Sequence, residues 1–366
     1  MELSAALIVR DAEAVLADCL RSIRDVVDEI VVVDTGSVDG SRRVARAFGA
    51  RLFDLPWRDD FSAARNEALA RATGRFILYI DADERLLPTS RATVASVLAD
   101  PSAVCHTVLF RPQRGYTPYR EHRIFRNDPR IRFEGVIHET MLGGIHRVAR
   151  EDGLRIVPSP LGIEHVGYEG DQQGKHRRNL PLLRRRLADD PRHAFSWHHL
   201  GRALLGLGDR EGAAEAWRHG IDVVRSRPDS TAADCLLYGS LLQLELGGAA
   251  RTPGLLDEAL DKFPGNHLLA WLRGCRLIAD GRLEEAIAVF QGLAAIDGAT
   301  FVDDAVAYDA RIFGAWSRDA LGLCCFRLGR FAESAAHYAA AEAAAPGVIE
   351  YRAKRHLAES RASAGP

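Results

Sequence analysis

Two aspartates, Asp81 and Asp83, close an apolar run: Arg75-Phe76-Ile77-Leu78-Tyr79-Ile80-Asp81-Ala82-Asp83-Glu84. Two carboxylates one residue apart repel each other, and keeping both ionised calls for a cation. Magnesium or manganese, hard and oxygen-seeking, suits one or two carboxylates together with substrate phosphates. The pattern points to a metal–diphosphate site. An Asp that follows a strand is also a common turn former and helix N-cap, and the D-x-D pattern alone does not separate the two roles.

The elements around the pair have to bring it to a cleft. The run is β-branched and aromatic, preceded by Thr73-Gly74, and reads as a buried strand of a parallel sheet. Side chains alternate along a strand, so Asp81 and Asp83 are expected to leave it on one side at its carboxyl end, where open α/β sheets bind ligands. Upstream, strand and helix alternate. Leu3 to Val9 reads as a strand, Ala12 to Val26 as a helix, Glu29 to Val33 as a strand. A helix through Val44, Ala45 and Phe48 follows, then a short strand Arg51 to Leu55, then a helix Ser62 to Ala72 with Ser62 as N-cap. This order implies a parallel sheet with right-handed crossovers, a doubly wound α/β domain. Beyond Pro88 come a helix near Ser90 to Ala99 and strands read as antiparallel near Ala103 to Phe110, Glu121 to Phe125 and Ile156 to Pro158.

Other residues have types suited to the same chemistry. Asp34 closes the second strand before Thr35-Gly36-Ser37, where a carboxylate can accept hydrogen bonds from a ribose or base and small residues allow close approach. Arg65 and Asn66 lie in the helix that leads to the Asp81 strand. An arginine can pair with a diphosphate as a fork, and an asparagine can bond a base or ribose. Basic residues cluster at Lys175-His176-Arg177-Arg178 and Arg184-Arg185-Arg186, suited to a diphosphate clamp, an acidic acceptor or a solvated helix face.

Composition narrows the partners. A net charge of −2 gives no global field for nucleic acid or an anionic membrane, and the basic clusters lack interleaved aromatics. No stretch reaches the length of a spanning helix, and the apolar N-terminus lacks a basic lead, so it reads as a first strand and not a secretion signal. Cys19, Cys105, Cys235, Cys275, Cys324 and Cys325 show no zinc-ligand spacing, and buried free thiols in a cytoplasmic protein fit them best.

From about residue 176 the grammar changes. Trp197 to Gly220, Ala270 to Leu293 and Arg318 to Ala341 align without gaps. Each has a glycine (Gly201, Gly274, Gly322) seven residues before another (Gly208, Gly281, Gly329). A small residue (Ala213, Ala286, Ser334) and then an aromatic (Trp217, Phe290, Tyr338) follow. Trp197-His198-His199-Leu200-Gly201 matches the opening of a tetratricopeptide repeat, and Pro346 sits where such a repeat closes. Ala232 to Pro264 reads as a degenerate unit whose register breaks at Gly247 to Gly254, and Gly298 to Phe313 reads as an insertion. The expected domains are 1–175 and 176–366, the second a repeat array with a surface for an extended partner and room for self-association as a homodimer.

Three segments in order, Val31-Val32-Val33-Asp34-Thr35-Gly36-Ser37-Val38-Asp39-Gly40-Ser41, Asp60-Phe61-Ser62-Ala63-Ala64-Arg65-Asn66 and Leu78-Tyr79-Ile80-Asp81-Ala82-Asp83-Glu84, resemble family-2 glycosyltransferases of the GT-A fold. With the repeats behind it, the chain resembles the bacterial subgroup that joins this domain to tetratricopeptide repeats, including peptide-modifying, sublancin-type S-glycosyltransferases. The resemblance implies a Rossmann-like α/β GT-A domain followed by an all-α solenoid. It implies inverting transfer from a nucleotide-diphosphate sugar, most often a UDP-sugar, with Mg2+ or Mn2+. Nucleotide-sugar contacts then fall to Val9, Asp11, Asp34, Arg65, Asn66, Asp81 and Ala82, and metal ligation to Asp83, Asp81 and His165, a histidine late in the domain. Inverting transfer needs a general base. In Arg132-Phe133-Glu134-Gly135-Val136-Ile137-His138-Glu139, Glu139 is expected to be that base, with His138 orienting it or binding phosphate. The family's first strand usually ends in Asn-Glu, whereas Asp11 and Ala12 stand there in this chain. The expected acceptor is a peptide or protein, with no nucleic acid and no membrane segment involved. A glycan or lipid-linked acceptor, a nucleotidyltransferase and an inactive repeat scaffold are the rival readings. The first lacks nothing in the sequence, the second lacks its Gly-rich phosphate loop, and the third leaves the acidic residues without a purpose.

Overall fold

The computed structural model describes the chain except residues 167–171, 247, 249–251 and 364–366. Gly167 and Tyr168, which follow His165, and much of the register break at 247–251 lie outside the described residues. The chain forms two compact units. One comprises Met1–Arg114 and Pro118–Ala213, the other Gly115–Thr117 and Ala214–Pro366.

The first unit begins as the sequence pattern requires. Strands β1 (Leu3–Val9), β2 (Glu29–Asp34), β3 (Arg51–Asp54) and β4 (Phe76–Tyr79) alternate with helices α1 (Glu13–Ile23), α2 (Ser41–Ala47) and α3 (Phe61–Arg71). All six residues of β2 are buried, as a strand covered on both faces demands. Leu3, Ala5, Leu7 and Val9 of β1 pack with Leu16, Cys19, Leu20 and Ile23 of α1 on one face. Ala6 packs with Val31, Val33, Ala68 and Leu69 on the other. The period-2 alternation of the strand thus feeds two cores.

Beyond β4 the chain adds β5 (Glu84–Leu86), α4 (Arg91–Leu98), β6 (Ala103–Arg111), β7 (Tyr119–Arg126), α5 (Leu142–Asp152) and β8 (Arg155–His165). The described strands form one eight-stranded sheet in the order β3-β2-β1-β4-β7-β6-β8-β5. The β3-β2-β1-β4 part is parallel. Strand β7 runs antiparallel to β4 and β6. The sheet is therefore mixed, and Ile156 to Pro158 belongs to a longer strand that runs parallel, not antiparallel, to β6. Its far end turns antiparallel to β5, pairing Glu84 with His165. That pairing brings a late histidine beside the Asp81–Asp83 segment, 82 positions away in the chain from Asp83.

The N-cap of α3 is Asp60, whose carboxylate accepts from Ala63 N at 3.0 Å. The expected cap, Ser62, instead donates to Gly135 O at 2.6 Å and anchors a loop. Helices α6 (Gln172–Asp189), which runs across residue 175, and α7 (Ala194–Gly206), which lies beyond it, follow β8 and count with the first unit.

The remaining helices are α8 (Arg210–Arg225), which runs across the division, α9 (Cys235–Leu246), α10 (Leu255–Lys262), α11 (His267–Ala279), α12 (Leu283–Ala294), α13 (Ala315–Arg327), α14 (Phe331–Ala344) and α15 (Ile349–Ser363). The aligned segments are the pairs α7–α8, α11–α12 and α13–α14. Their second glycines, Gly208, Gly281 and Gly329, have φ of 90°, 77° and 76°, the left-handed turn that only glycine adopts freely. Two of the first glycines, Gly274 and Gly322, make room for the aromatic of the partner helix. A Cβ on Gly274 would lie 2.5 Å from the Phe290 ring, and one on Gly322 would lie 2.6 Å from Tyr338. The expected insertion, Gly298 to Phe313, places Tyr308, Ile312 and Phe313 in the core. Among the described residues no helix is long and apolar enough to cross a membrane, and all six cysteines are free thiols.

Overpacking a full core typically costs about 1–3 kcal/mol. Gly274→Ala and Gly322→Ala should each lower the thermal midpoint of the repeat unit in calorimetry, and an unchanged midpoint would reject the tight ring contact.

Candidate functional site

Strand β4 ends at Tyr79, and Asp81-Ala82-Asp83-Glu84 is a turn. Glu84 N donates to Asp81 O at 3.0 Å, closing it. Face alternation along a strand therefore does not govern the two aspartates; the turn does. It points their carboxylates at different partners. Asp81 faces Arg65, with Nη1–Oδ1 at 2.8 Å and Nη2–Oδ2 at 3.0 Å. Asp83 Oδ2 lies 3.0 Å from His165 Nε2.

Helix α3 presents Arg65 to this turn because Phe61, Ser62, Arg65 and Asn66 share one face, spaced at helical intervals. Phe61 N donates to Val136 O, Ser62 Oγ to Gly135 O, and Asn66 brackets Phe133 with both amide arms at 2.8 and 2.9 Å. Asn66 thus splints the 131–140 segment, and the expected base or ribose contact gives way to this backbone clasp. The same segment carries Glu139, whose side chain is 9% exposed and accepts from Arg65 Nε at 2.5 Å. One guanidinium therefore holds two carboxylates. It also lies over the rings of Tyr79 and Phe133, at 5.2 and 5.4 Å.

Burial pushes the Asp81 carboxyl up, but the Arg65 charge and hydrogen bonds outweigh it and hold the pKa at about 2. For Asp83, burial is likewise overcome by the His165 hydrogen bond and charge, so it stays below the usual carboxylate range. His138 has φ of 50° and stacks on His199 of α7 with ring centroids 3.6 Å apart. Burial, then Arg202 and His193, lowers its pKa to about 3. His138 is neutral near pH 7 and offers no positive charge to a phosphate. It packs the 131–140 loop onto α7, with Phe195 edge-on at 5.7 Å.

At the neighbouring strand end, Asp34 Oδ1 accepts from Gly36 N and Ser37 N at 3.0 and 2.9 Å. Its Oδ2 is buried, with no hydrogen-bond partner among the described residues, and Arg42 Nη1 lies 3.5 Å from Oδ1. Asp11 Oδ1 accepts from Val38 N at 2.8 Å, and Val9 O accepts from Thr35 N at 2.9 Å. Both staple the two loops that frame Asp34. Ala82 occupies the turn between the two aspartates and packs on the β1–α1 core.

Sequence reading passed over Glu84, Arg123 and Cys19. Cys19 Sγ donates to Asp81 O at 3.3 Å from α1 below the turn. Arg123 was signalled by a charge directly before the apolar Ile124-Phe125, where a core strand should have none. Among the described residues, no three His, Cys, Asp or Glu side chains gather as a ready-made metal site.

Comparison with known proteins agrees with this architecture. Residues 4–154 match Glycosyl transferase family 2. A TPR repeat-containing protein of Synechococcus elongatus is 39% identical over 270 residues, 72% of this chain and 65% of that protein. The SPbeta prophage-derived glycosyltransferase SunS of Bacillus subtilis is 27% identical over 290 residues, 75% of this chain and 66% of SunS. The chain thus spans just under two thirds of the length of these curated relatives. A solved structure of glucosyl-3-phosphoglycerate synthase from Mycobacterium tuberculosis, in complex with Mn2+, UDP and glucosyl-3-phosphoglycerate, matches 50% of this chain and 77% of its own, at 18% identity and a TM-score of 0.38. Residues 4–154 of this chain thus match glycosyl transferase family 2, and paired helices with tetratricopeptide-like spacing follow them.

Proposed function

We propose that this chain is an inverting glycosyltransferase that moves a sugar from a nucleotide-diphosphate donor, a UDP-sugar, to a peptide or protein acceptor engaged by the repeats. The observation that carries the reading is the Asp81–Arg65–Glu139 array at the carboxyl ends of β4, β1 and β2. It joins a donor-side carboxylate to an acceptor-side one through a single buried cation.

The unpaired Asp34 Oδ2 supports a nucleoside contact, since a base N–H or ribose hydroxyl supplies the donor it lacks. Asp83 and His165 make a hard oxygen and an imidazole available side by side, a donor set that Mn2+ and Mg2+ accept. A third ligand has to come from donor phosphates, or from Asp81 once it parts from Arg65. The chemistry supplied by such an ion when bound is neutralisation of charge on the departing diphosphate.

The protein's own groups do the rest. Glu139 takes the proton from the acceptor's hydroxyl or thiol as that atom bonds to the anomeric carbon. The bond from that carbon to the diphosphate oxygen breaks, and its electron pair leaves with the nucleotide. Arg65 is common to both events. A diphosphate seated near Asp81 competes for the guanidinium that otherwise holds Glu139, so donor arrival loosens the base. The repeats supply binding energy remote from the reacting atoms, which orients the nucleophile. A cytoplasmic setting accords with the free thiols.

Three measurements check the reading. With Mn2+ and a panel of nucleotide sugars, the wild-type protein should release nucleotide through slow transfer to water. Asp83→Ala, folded by circular dichroism, should reduce that release about 10–100-fold, and equal release would remove Asp83 from the site. Glu139→Gln preserves shape and a hydrogen bond to Arg65. It should bind donor in calorimetry as the wild type does, yet lose about 10²–10⁴-fold in rate, and an unaltered rate would reject it as the base. His165→Ala should move the Mn2+ titration of donor binding to higher metal concentration, and an unshifted titration would exclude it as a ligand. No release from any donor would favour an inactive scaffold.

A further inference from the structure

The acidic run after β4 has three carboxylates, and the third faces inward. Glu84 is 2% exposed. Its Oε2 accepts from the backbone N–H of Asp81 at 2.8 Å, while its own N–H donates to Asp81 O at 3.0 Å. The turn that carries Asp81 and Asp83 is thus closed twice by one residue.

Glu84 is in turn held by Arg123 of β7, itself 3% exposed. The guanidinium reaches Glu84 as a fork, Nη1–Oε2 at 2.8 Å and Nη2–Oε1 at 2.7 Å. Its Nε bonds Glu121. Its faces are covered by Tyr79 at 4.3 Å and Phe110 at 4.6 Å. No rotamer is left open to it.

A fully buried ion pair is a poor source of stability, because desolvation offsets most of the attraction and apolar replacements usually do as well. Two charges in the core beside a third, Asp81, therefore call for another reason. The geometry supplies one. A carboxylate is the only side chain that can accept from the Asp81 amide and both guanidinium arms at once. We propose that Glu84 and Arg123 are positioning residues of the donor site: Arg123 fixes Glu84, and Glu84 fixes the turn that aims Asp81 at Arg65 and Asp83 at His165. Glu84 then ligates no metal. The inference rests on the donor-binding reading above, but its structural half stands apart from it.

The test uses the full chain and two variants. Glu84→Leu combined with Arg123→Met removes both charges of the fork together and leaves Glu121, whose side chain is 24% exposed, to solvent and the Tyr119 hydroxyl; Glu84→Gln keeps the shape and breaks the fork. Hydrogen exchange of the unliganded proteins is followed at residues 79–86, with β2 as internal reference. The double variant should melt within a few degrees of wild type, exchange about tenfold faster at 79–86 and unchanged at β2, and raise the donor KM about 10–100-fold with kcat reduced less. Arg123→Lys, with charge but no fork, should fall between. Should the double variant not fold, Glu84→Gln carries the same expectation, several-fold faster exchange at 79–86. Wild-type exchange there in a folded variant overturns the proposal, as does loosened exchange with donor KM unchanged. If the wild type binds no nucleotide sugar, the donor reading fails, and exchange at 79–86 still decides whether Arg123 and Glu84 hold the turn.

Discussion

The buried guanidinium of Arg65 balances two of the carboxylates on which the site is built, Asp81 and Glu139. Asp81 and Glu139 come from segments 58 positions apart and would repel each other. Arg65 stands between them, packed against the rings of Tyr79 and Phe133. An ion pair in such surroundings is strengthened by low dielectric and is costly to leave half made.

Delivery depends on how the sheet is completed. The parallel half supplies the carboxyl ends of β1, β2 and β4, where Asp34 and the Asp81 turn emerge. The antiparallel insertion of β7 beside β4 brings Arg123 under the turn, and the β5–β8 pairing brings His165 beside Asp83. Helix α3 clamps the 131–140 segment through Ser62 and Asn66, so the loop bearing Glu139 is fixed by the same helix that carries Arg65. Arg65 and the anchors of the Glu139 loop are therefore mounted on one helix.

The helical half follows simpler rules. A small residue on one helix faces an aromatic on the next, and a left-handed glycine turns the chain between them. Each pair buries its apolar faces against its neighbours, which is why such arrays are stable only in series. Tyr308 and Phe313 show that an insertion is tolerated when it brings its own core residues.

Much of this was legible in the residue order. Strand and helix alternation from Leu3 to Tyr79, the glycine–aromatic spacing of the repeats and the acidic residues at strand ends are local patterns, set by periodicities of 2 and 3.6 and by glycine's backbone freedom. Long-range pairing was not legible. No local signal announces that β7 inserts antiparallel next to β4, that Asn66 clasps Phe133, or that His138 stacks on His199. Strand order and side-chain pairing across many residues are decided by which faces bury together. Asp81, Asp83 and Arg65 stood out by type and order, because charge in an apolar context is visible in a sequence; Glu139 was singled out only through the family resemblance. Their partners were chosen by the tertiary structure, since only there do the desolvation of each charge and the distance to its counterion exist as physical quantities.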